Sequence, residues 1–263
     1  IDRTIDKDIP VSSVNSSNTF AFIIGNENYQ NVASVPFAAN DAKIFSEYCH
    51  KTLGLPKENI KVYIDATYGK ILGALSTLKQ ISQAYKGDIN VIFYYAGHGV
   101  PNEKNNEAYL LPADATPSML EACLPLSSLY SSIGSIDAKQ AIVFMDACFS
   151  GSRRENGMIV SARGIAIKPK KDIVTGNVVV FSAADGSETA YPYKEKGHGL
   201  FTYFLLKKLK ESRGNVTLGD LADYVKTNVS QKSIVVNNKS QTPTISSSAQ
   251  MQDVWRTMKL FRK

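Results

Sequence analysis

Two strand-end positions carry residues capable of acyl-transfer chemistry. His98 follows the apolar run 89–95, and Cys148 follows the apolar run 140–145. A thiol within reach of an imidazole can be held as a thiolate, and the resulting imidazolium can protonate a leaving amine. The backbone N–H groups of Gly99 and Cys148 would form an oxyanion hole. The sequence therefore predicts Cys148 as a nucleophile with His98 as its base.

A second Gly-His-Gly sequence leaves an alternative base open. His198 lies 50 positions from Cys148, as His98 does, so spacing alone does not choose between them. His198 precedes an apolar helical pattern and is expected at a helix start, whereas His98 ends a buried strand. We favour His98 as the catalytic base. The alternative is another thiol hydrolase or transpeptidase in which His198 would be the base. His50 is expected to be a solvated surface residue.

Polar residues near the same strand ends are candidates for substrate binding. Asp146 precedes Cys148 by two positions, so in an extended strand both side chains leave the same face of the sheet. Asp41 could supply a second carboxylate to that crevice or cap a helix. Two converging acids would favour a cationic substrate side chain. Ser182 and Asp185, which follow a later apolar run, are further candidates for the substrate groove.

Alternating apolar and helical patterns predict the framework that holds these residues. Strands are predicted at 19–24, 60–64, 89–95, 140–145 and 177–181, and helices at 38–53, 70–85, 125–133, 200–211 and 218–229. This order indicates an α/β fold, a three-layer sandwich with a mostly parallel central sheet flanked by helices. The reactive crevice of such a sheet lies at the carboxyl ends of its strands. We interpret 1–18 as a polar N-terminal segment and 19–263 as a single domain.

Composition and charge exclude several classes of protein. The chain has 263 residues, of which 43% are hydrophobic and 21% charged, and this excludes disordered, collagen-like and coiled-coil proteins. The stretch 151–175 has six basic and two acidic residues, a net of +4, which leaves +2 of the formal +6 for the other 238 positions. A nucleic-acid face is therefore not expected. The apolar runs fall far short of the roughly 20 residues of a spanning helix, so no membrane association is expected.

The few cysteines and histidines limit what else the chain could bind. Three residues of each type lack the close paired spacing of a zinc site, so no metal or cofactor is expected. Cys49 and Cys123 are expected to be small buried side chains. The sequence does not define an oligomeric state, and we favour a monomer. Because the chain begins with Ile1, both a cytoplasmic location and export after loss of a signal peptide stay open.

Four stretches resemble the caspase and metacaspase family of cysteine peptidases. They are 37–42, 94–99, 144–151 and 199–203, and the resemblance runs over roughly residues 18 to 245 in the family's order. The caspase signature places Gln where this chain has Asp146, with its histidine about 50 residues upstream of the cysteine. The resemblance is therefore to bacterial metacaspase-like members, and it implies the caspase-like fold.

The resemblance also implies a specificity. Caspases proper hold a substrate aspartate with basic residues, whereas metacaspase-like members cleave after arginine or lysine and use acids equivalent to Asp41 and Asp146. Protein or peptide substrates with Arg or Lys before the scissile bond are expected. Calcium activation is known among metacaspases, but no convincing acidic cluster for it is found in this sequence. A catalytically silent interaction domain is the alternative, although neither His98 nor Cys148 is lost.

The family finally suggests self-cleavage in the basic loop 151–175. The candidate sites are the basic residues of the loop: Arg153, Arg154, Arg163, Lys168, Lys170 and Lys171. The competing interpretation is a solvated basic loop, and the sequence does not choose between the two.

Overall fold

The strands and helices of the protein follow the predicted alternation. The computed structural model describes residues 2–150 and 168–260. Within those residues the strands, numbered in chain order, are β1 Thr19–Gly25, β2 Ile60–Ile64, β3 Asn90–Ala96, β4 Gly99–Pro101, β5 Ala108–Leu110, β6 Leu124–Pro125, β7 Gln140–Asp146, β8 Val178–Ser182, β9 Pro192–Tyr193, β10 His198–Gly199 and β11 Thr244–Ser247. The helices are α1 Ala38–Lys51, α2 Tyr68–Ala84, α3 Leu126–Gly134, α4 Leu200–Ser212 and α5 Leu218–Asn237.

Six strands form the central sheet, in the spatial order β2, β1, β3, β7, β8, β11. The first five pair in parallel, and β11 pairs antiparallel with β8 at the edge. The predicted mostly parallel sheet is confirmed. Sequence reasoning missed β11 because Thr244–Ser247 is polar and only half-buried, without an apolar face to reveal it.

Helices cover both faces of the sheet, as the three-layer prediction requires. Side chains alternate along β7: Ile142 and Phe144 join the core shared with α1, α4 and α5, while Val143 and Met145 join the core shared with α2 and α3. Period-two alternation of a fully buried strand explains why β7 is apolar throughout. Cys148 follows Phe144 by four positions and Asp146 by two, and it belongs to the α1/α4 face.

The polar N-terminal segment is docked against the domain. The side chain of Ile5 is 3% exposed and lies in the α1/α4 core. Farther along, Ser12 N–H donates to the carbonyl of Lys51 at 2.8 Å, and Ser16 Oγ donates to the carbonyl of Leu53 at 2.7 Å. Residues 2–16 therefore run along the end of α1 and onward to α4. No described helix is long and apolar enough to cross a bilayer.

Candidate active site

The register of β3 and β7 aligns the ends of the two strands that precede the predicted catalytic residues. Ala96 is the partner of Asp146, and Gly97 N–H continues the ladder by donating to the carbonyl of Asp146 at 3.3 Å. His98 and Cys148 each follow this last pair by two positions, just beyond the ends of β3 and β7. Neighbouring strands are about 4.8 Å apart, so both residues lie at the carboxyl edge of the sheet. Both residues are buried, at 2% and 5% exposure.

Gly99 allows the two strand ends to approach this closely. A Cβ added at Gly99 would lie 2.7 Å from the carbonyl oxygen of Cys148 and 2.4 Å from a ring carbon of Phe149. Gly99 pairs with Leu110 in the β4–β5 ladder, next to the bond in which Leu111 N–H donates to the carbonyl of His98 at 3.1 Å. Because bonded and non-bonded pairs alternate in an antiparallel ladder, the Gly99 N–H points away from β5. This direction suits the oxyanion role predicted for it.

The loop between β1 and α1 fixes the orientation of His98. Its Nε2 lies 2.8 Å from the carbonyl oxygen of Ala33. A carbonyl only accepts hydrogen bonds, so Nε2 carries the ring proton and Nδ1 is the nitrogen that can take up another. The His98 backbone N–H donates to the hydroxyl of Tyr29 at 2.8 Å, and the two rings lie 4.8 Å apart between centroids. Ala33 and Tyr29 were not predicted, since a backbone acceptor and a loop tyrosine carry no sequence signal of their own.

The two predicted pocket acids converge on the first turn of α4. Asp41 Oδ2 accepts the Gly199 N–H at 2.9 Å, and Asp146 Oδ2 accepts from Thr202 Oγ1 at 2.6 Å. The hydroxyl of Tyr94 is 2.6 Å from Thr202 Oγ1, so it donates to that oxygen and completes the chain. Both carboxylates are 0% exposed. The positive end of a helix dipole favours anions at such a position.

Thr202 had a sequence signal, because it lies in the stretch 199–203 that carries the family resemblance. Helix capping was the alternative role for Asp41. In the structure Glu27 caps α1 instead: the N–H of Ala39, in the first turn of the helix, donates to Glu27 Oε2 at 3.0 Å. The side chain of Asp41 instead reaches across to α4.

His198 lies at the start of α4, as predicted, and its ring is held between two carboxylates. Nδ1 lies 2.7 Å from Asp41 Oδ1 and Nε2 lies 2.7 Å from Asp6 Oδ1, with the ring 0% exposed. Burial alone would lower the pKa of His198, but the hydrogen bonds to Asp41 and Asp6 outweigh it and raise that pKa from 6.5 to about 9. A ring that already holds both protons is a poor general base.

The other candidate groove residues lie on a different side of the sheet edge. Ser182 and Asp185 line a cavity of about 530 Å³ that also borders Phe149, next to Cys148, and Tyr130 of α3. Ser182 ends β8 two positions beyond Val180, whose side chain faces the α2/α3 core. The two residues therefore flank the nucleophile across from Asp41 and Asp146.

The basic loop is described only from its last residues. Arg153, Arg154 and Arg163 lie outside the described residues. Lys168, Lys170 and Lys171 are exposed, and Lys168 Nζ is 3.8 Å from Asp185 Oδ2.

The remaining cysteines and histidine have structural surroundings. Cys49 and Cys123 are buried, as predicted, at 0% and 2% exposure. His50 differs from the prediction: it is half-buried, with Nδ1 2.8 Å from the carbonyl of Leu55, because the turn at Gly54 folds the chain back over the end of α1. Across residues 2–150 and 168–260, no group of three or more His, Cys, Asp and Glu side chains is arranged to hold a metal ion.

Comparison with known families now identifies the domain. A sequence model described as the caspase domain matches residues 18–254. The chain belongs to the caspase-domain family. The predicted resemblance to caspase-like and metacaspase-like peptidases is thereby confirmed, and proteins or peptides are the substrates of such a peptidase family.

Individual relatives of this caspase domain are distant. The paracaspase of Dictyostelium discoideum is 29% identical over 202 residues, which make up 76% of this chain and 46% of the relative. The chain thus spans about half the length of that curated relative.

Solved structures show the same fold. Caspase-1 from Spodoptera frugiperda superposes with a TM-score of 0.63 at 16% identity, over 94% of this chain and 92% of that one. A protein from Geobacter sulfurreducens superposes with a TM-score of 0.66 at 16% identity, over 92% and 97%. At these identities the likeness shows the shared fold, and the chemistry must be argued from the residues of this caspase domain.

Proposed function

We propose that the domain is a cysteine endopeptidase that cleaves after arginine or lysine, with Cys148 as nucleophile and His98 as base. The observation that carries the proposal is the register of β3 and β7, whose last pair, Ala96 and Asp146, precedes His98 and Cys148 by two positions each. The buried acids Asp41 and Asp146, on the face of β7 to which Cys148 belongs, support the specificity.

The reaction proceeds by two proton transfers through His98. Nδ1 takes the proton of the Cys148 thiol, and the thiolate attacks the carbonyl carbon of the scissile bond. The Gly99 and Cys148 N–H groups stabilise the oxyanion that forms. The imidazolium then protonates the leaving amine as the C–N bond breaks, which leaves a thioester on Cys148. Water, deprotonated by His98, hydrolyses the thioester and releases the acid and the free thiol.

The carbonyl of Ala33 holds His98 in the tautomer and orientation that this reaction requires. Because it accepts the Nε2 proton, it selects the tautomer in which Nδ1 is the basic nitrogen and holds the ring plane. When His98 becomes charged, the same carbonyl dipole stabilises the imidazolium. The acids Asp41 and Asp146 complement the guanidinium or ammonium of the residue before the scissile bond, since charged hydrogen bonds of this kind are the strong ones.

Replacing the nucleophile tests the activity. Cys148→Ala should reduce hydrolysis of an arginyl amide reporter by roughly 10⁴-fold or more, because the covalent route is removed. Cys49→Ala is the matched control, because Cys49 is a fully buried cysteine near the C-terminal end of α1, and this variant should retain turnover. Lysyl and aspartyl reporters, read in parallel, test the specificity. Turnover retained in Cys148→Ala would sink the assignment, and a preference for the aspartyl reporter would defeat the pocket.

A comparison of the two histidines tests the alternative thiol hydrolase. His98→Ala should abolish the rapid alkylation of Cys148 by iodoacetamide at neutral pH, because the thiol loses its proton acceptor. His198→Asn should keep that rapid alkylation, since the His198 ring is committed to Asp41 and Asp6. The opposite pattern would favour the alternative, in which His198 is the base.

We also propose self-cleavage in the loop 151–175. The exposure of Lys168, Lys170 and Lys171 makes them accessible to a second molecule or to the same active site. Intact-mass and N-terminal analysis of wild type and Cys148→Ala should show new termini after Lys or Arg in the wild type alone. An uncut wild-type chain that is active on reporters would leave the solvated-loop interpretation standing.

A further inference from the structure

The N-terminal segment is fastened to α1, which carries the pocket acid Asp41, and to α4, whose start supplies donors to both pocket acids. Tyr48 of α1 donates through its hydroxyl to the carbonyl of Ile5 at 2.8 Å. Lys210 of α4 donates through Nζ to the carbonyls of Thr4 at 2.8 Å and Lys7 at 2.6 Å. These bonds bracket Asp6, so its side chain has a fixed place between α1 and α4.

Asp6, His198 and Asp41 form a continuous buried chain, which we call the Asp6–His198–Asp41 chain. Each ring nitrogen of His198 is 2.7 Å from a carboxylate oxygen. Carboxylates accept and do not donate, so a ring that bonds to both must donate from both nitrogens. His198 is therefore an imidazolium between two anions.

The ring of His198 is the hydrogen-bonded partner of the Asp6 side chain. Its Oδ2 is buried without a hydrogen-bond partner among the described residues, and the Nε of Arg3 stands 3.9 Å away. A buried carboxylate is costly unless it is paired, so the imidazolium of His198 is what stabilises Asp6.

The other end of the Asp6–His198–Asp41 chain is Asp41, a predicted pocket acid. His198 donates to Asp41 Oδ1 and the Gly199 N–H donates to Asp41 Oδ2, so both oxygens have a fixed donor. Asp146 is bound three residues further along the same turn of α4, through Thr202. The imidazolium bonded to Asp41 favours the charged form of that carboxylate, since an opposite charge within hydrogen-bond distance stabilises it.

We propose that Asp6 and His198 are positioning residues for recognition of the cationic substrate residue. Asp6, delivered by the N-terminal segment, holds His198 as an imidazolium, and His198 holds Asp41 ionised and in one orientation. The N-terminal segment thus supplies Asp6, a residue that positions the specificity pocket. This inference rests on the proposed function, in which Asp41 recognises arginine or lysine.

The titratable groups around His198 allow the effect of pH to be assigned. Asp6 comes from the N-terminal segment and Asp41 from α1. Tyr203 of α4 lies 6.4 Å away between ring centroids, and Tyr193 is the backbone partner of His198 across the β9–β10 pair. Burial raises the pKa of Tyr203 above its ordinary value of 10, so that phenol stays neutral where His198 titrates.

The test measures selectivity between an arginyl reporter and its citrullinyl counterpart, a neutral mimic of nearly the same shape. Asp6→Asn removes one anion from the chain and His198→Asn keeps a donor near the Nδ1 position without the charge. Asp2→Asn is the matched control, because Asp2 lies in the same segment and pairs with Lys196 at the surface. Circular dichroism and the alkylation rate of Cys148 confirm that each variant is folded with an intact dyad.

Loss of charge at His198 should appear in KM for the arginyl reporter and not in kcat. In Asp6→Asn the arginine preference should fall at least about tenfold at about pH 8.5, and should recover at about pH 6, where His198 regains its proton. In His198→Asn it should be low at both pH values, and in Asp2→Asn it should match wild type. A merely structural role for Asp6 would not give a loss that lower pH reverses.

Two different failures are distinguishable. If the wild type itself does not prefer arginine over citrulline, the proposed specificity fails and this inference with it. If the wild type does prefer arginine, and folded Asp6→Asn and His198→Asn keep or increase that preference at both pH values, the inference is overturned and the proposed function stands.

Discussion

The charge on His198 should make the stability of the domain depend on pH in a defined window. A pKa of about 9 in the folded protein against an ordinary value of 6.5 corresponds to roughly 3 kcal/mol, at about 1.4 kcal/mol for each tenfold change in the equilibrium. The folded state binds this proton more tightly than the unfolded chain. The stabilisation is therefore complete below pH 6.5, declines as the pH rises from 6.5 to about 9, and is absent above that.

His198→Asn removes this titrating group while keeping a polar side chain at the position. Urea unfolding can be followed by the fluorescence of Trp255, the one tryptophan in the chain, which packs edge-on to Phe181 at 6.4 Å between centroids. The difference in unfolding free energy between wild type and variant should shrink by about 3 kcal/mol between pH 6 and pH 9.5.

Parallel stability profiles for the two proteins would contradict this prediction. They would mean that His198 is no more readily protonated in the folded chain than in the unfolded one, so that one of its two short contacts is made by a protonated carboxyl group. A difference that grows with rising pH would contradict the sign, since it would require the folded state to disfavour the proton.

Three further substitutions probe the geometry of the site. Gly99→Ala should lower kcat on an arginyl reporter by roughly 10²-fold with little change in KM, because the new Cβ collides with Phe149 and displaces the oxyanion donor. Activity equal to that of wild type would contradict the close approach of Gly99 to Phe149. Tyr29→Phe should lower the free energy of unfolding by about 1–3 kcal/mol, measured in urea, because a buried N–H loses its acceptor; an unchanged midpoint would contradict this. Thr202→Val should raise KM for the arginyl reporter several-fold and leave alkylation of Cys148 unchanged, because Asp146 loses a donor; an unchanged KM would remove Thr202 from the pocket.

Much of the fold was predictable because its signals are local. Apolar runs of strand length predict the parallel strands, and the amphipathic patterns predict the five helices. The edge strand β11 was missed because backbone pairing with β8 defines it, and its side chains carry no apolar pattern. The hairpin β9–β10, two residues in each strand, is too short for any pattern to show.

The candidate site was predictable where chemistry resides in side chains at strand ends. His98 and Cys148 each follow an apolar run, and the parallel register aligns the ends of those two runs. Ala33 was not predictable, because it acts through its carbonyl group. Asp6 was not predictable either, because its partner His198 lies 192 positions away and only the docking of the N-terminal segment joins them.

The sequence did single out both His198 and Asp41, but separately. One was considered as an alternative base and the other as a pocket acid or helix cap. Their direct bond depends on the packing of α1 against α4, which no local pattern encodes.

Covalent capture identifies the nucleophile and the charge preference of the pocket in one experiment. A short peptide ending in an arginyl acyloxymethyl ketone is incubated with the protein, and the adduct is located by peptide mapping. We expect one adduct, on Cys148, that also forms with the lysyl reagent, fails to form with the aspartyl reagent, and is lost in His98→Ala. An adduct on Cys49 or Cys123, or labelling of Cys148 that ignores the charge of the reagent, would contradict the account.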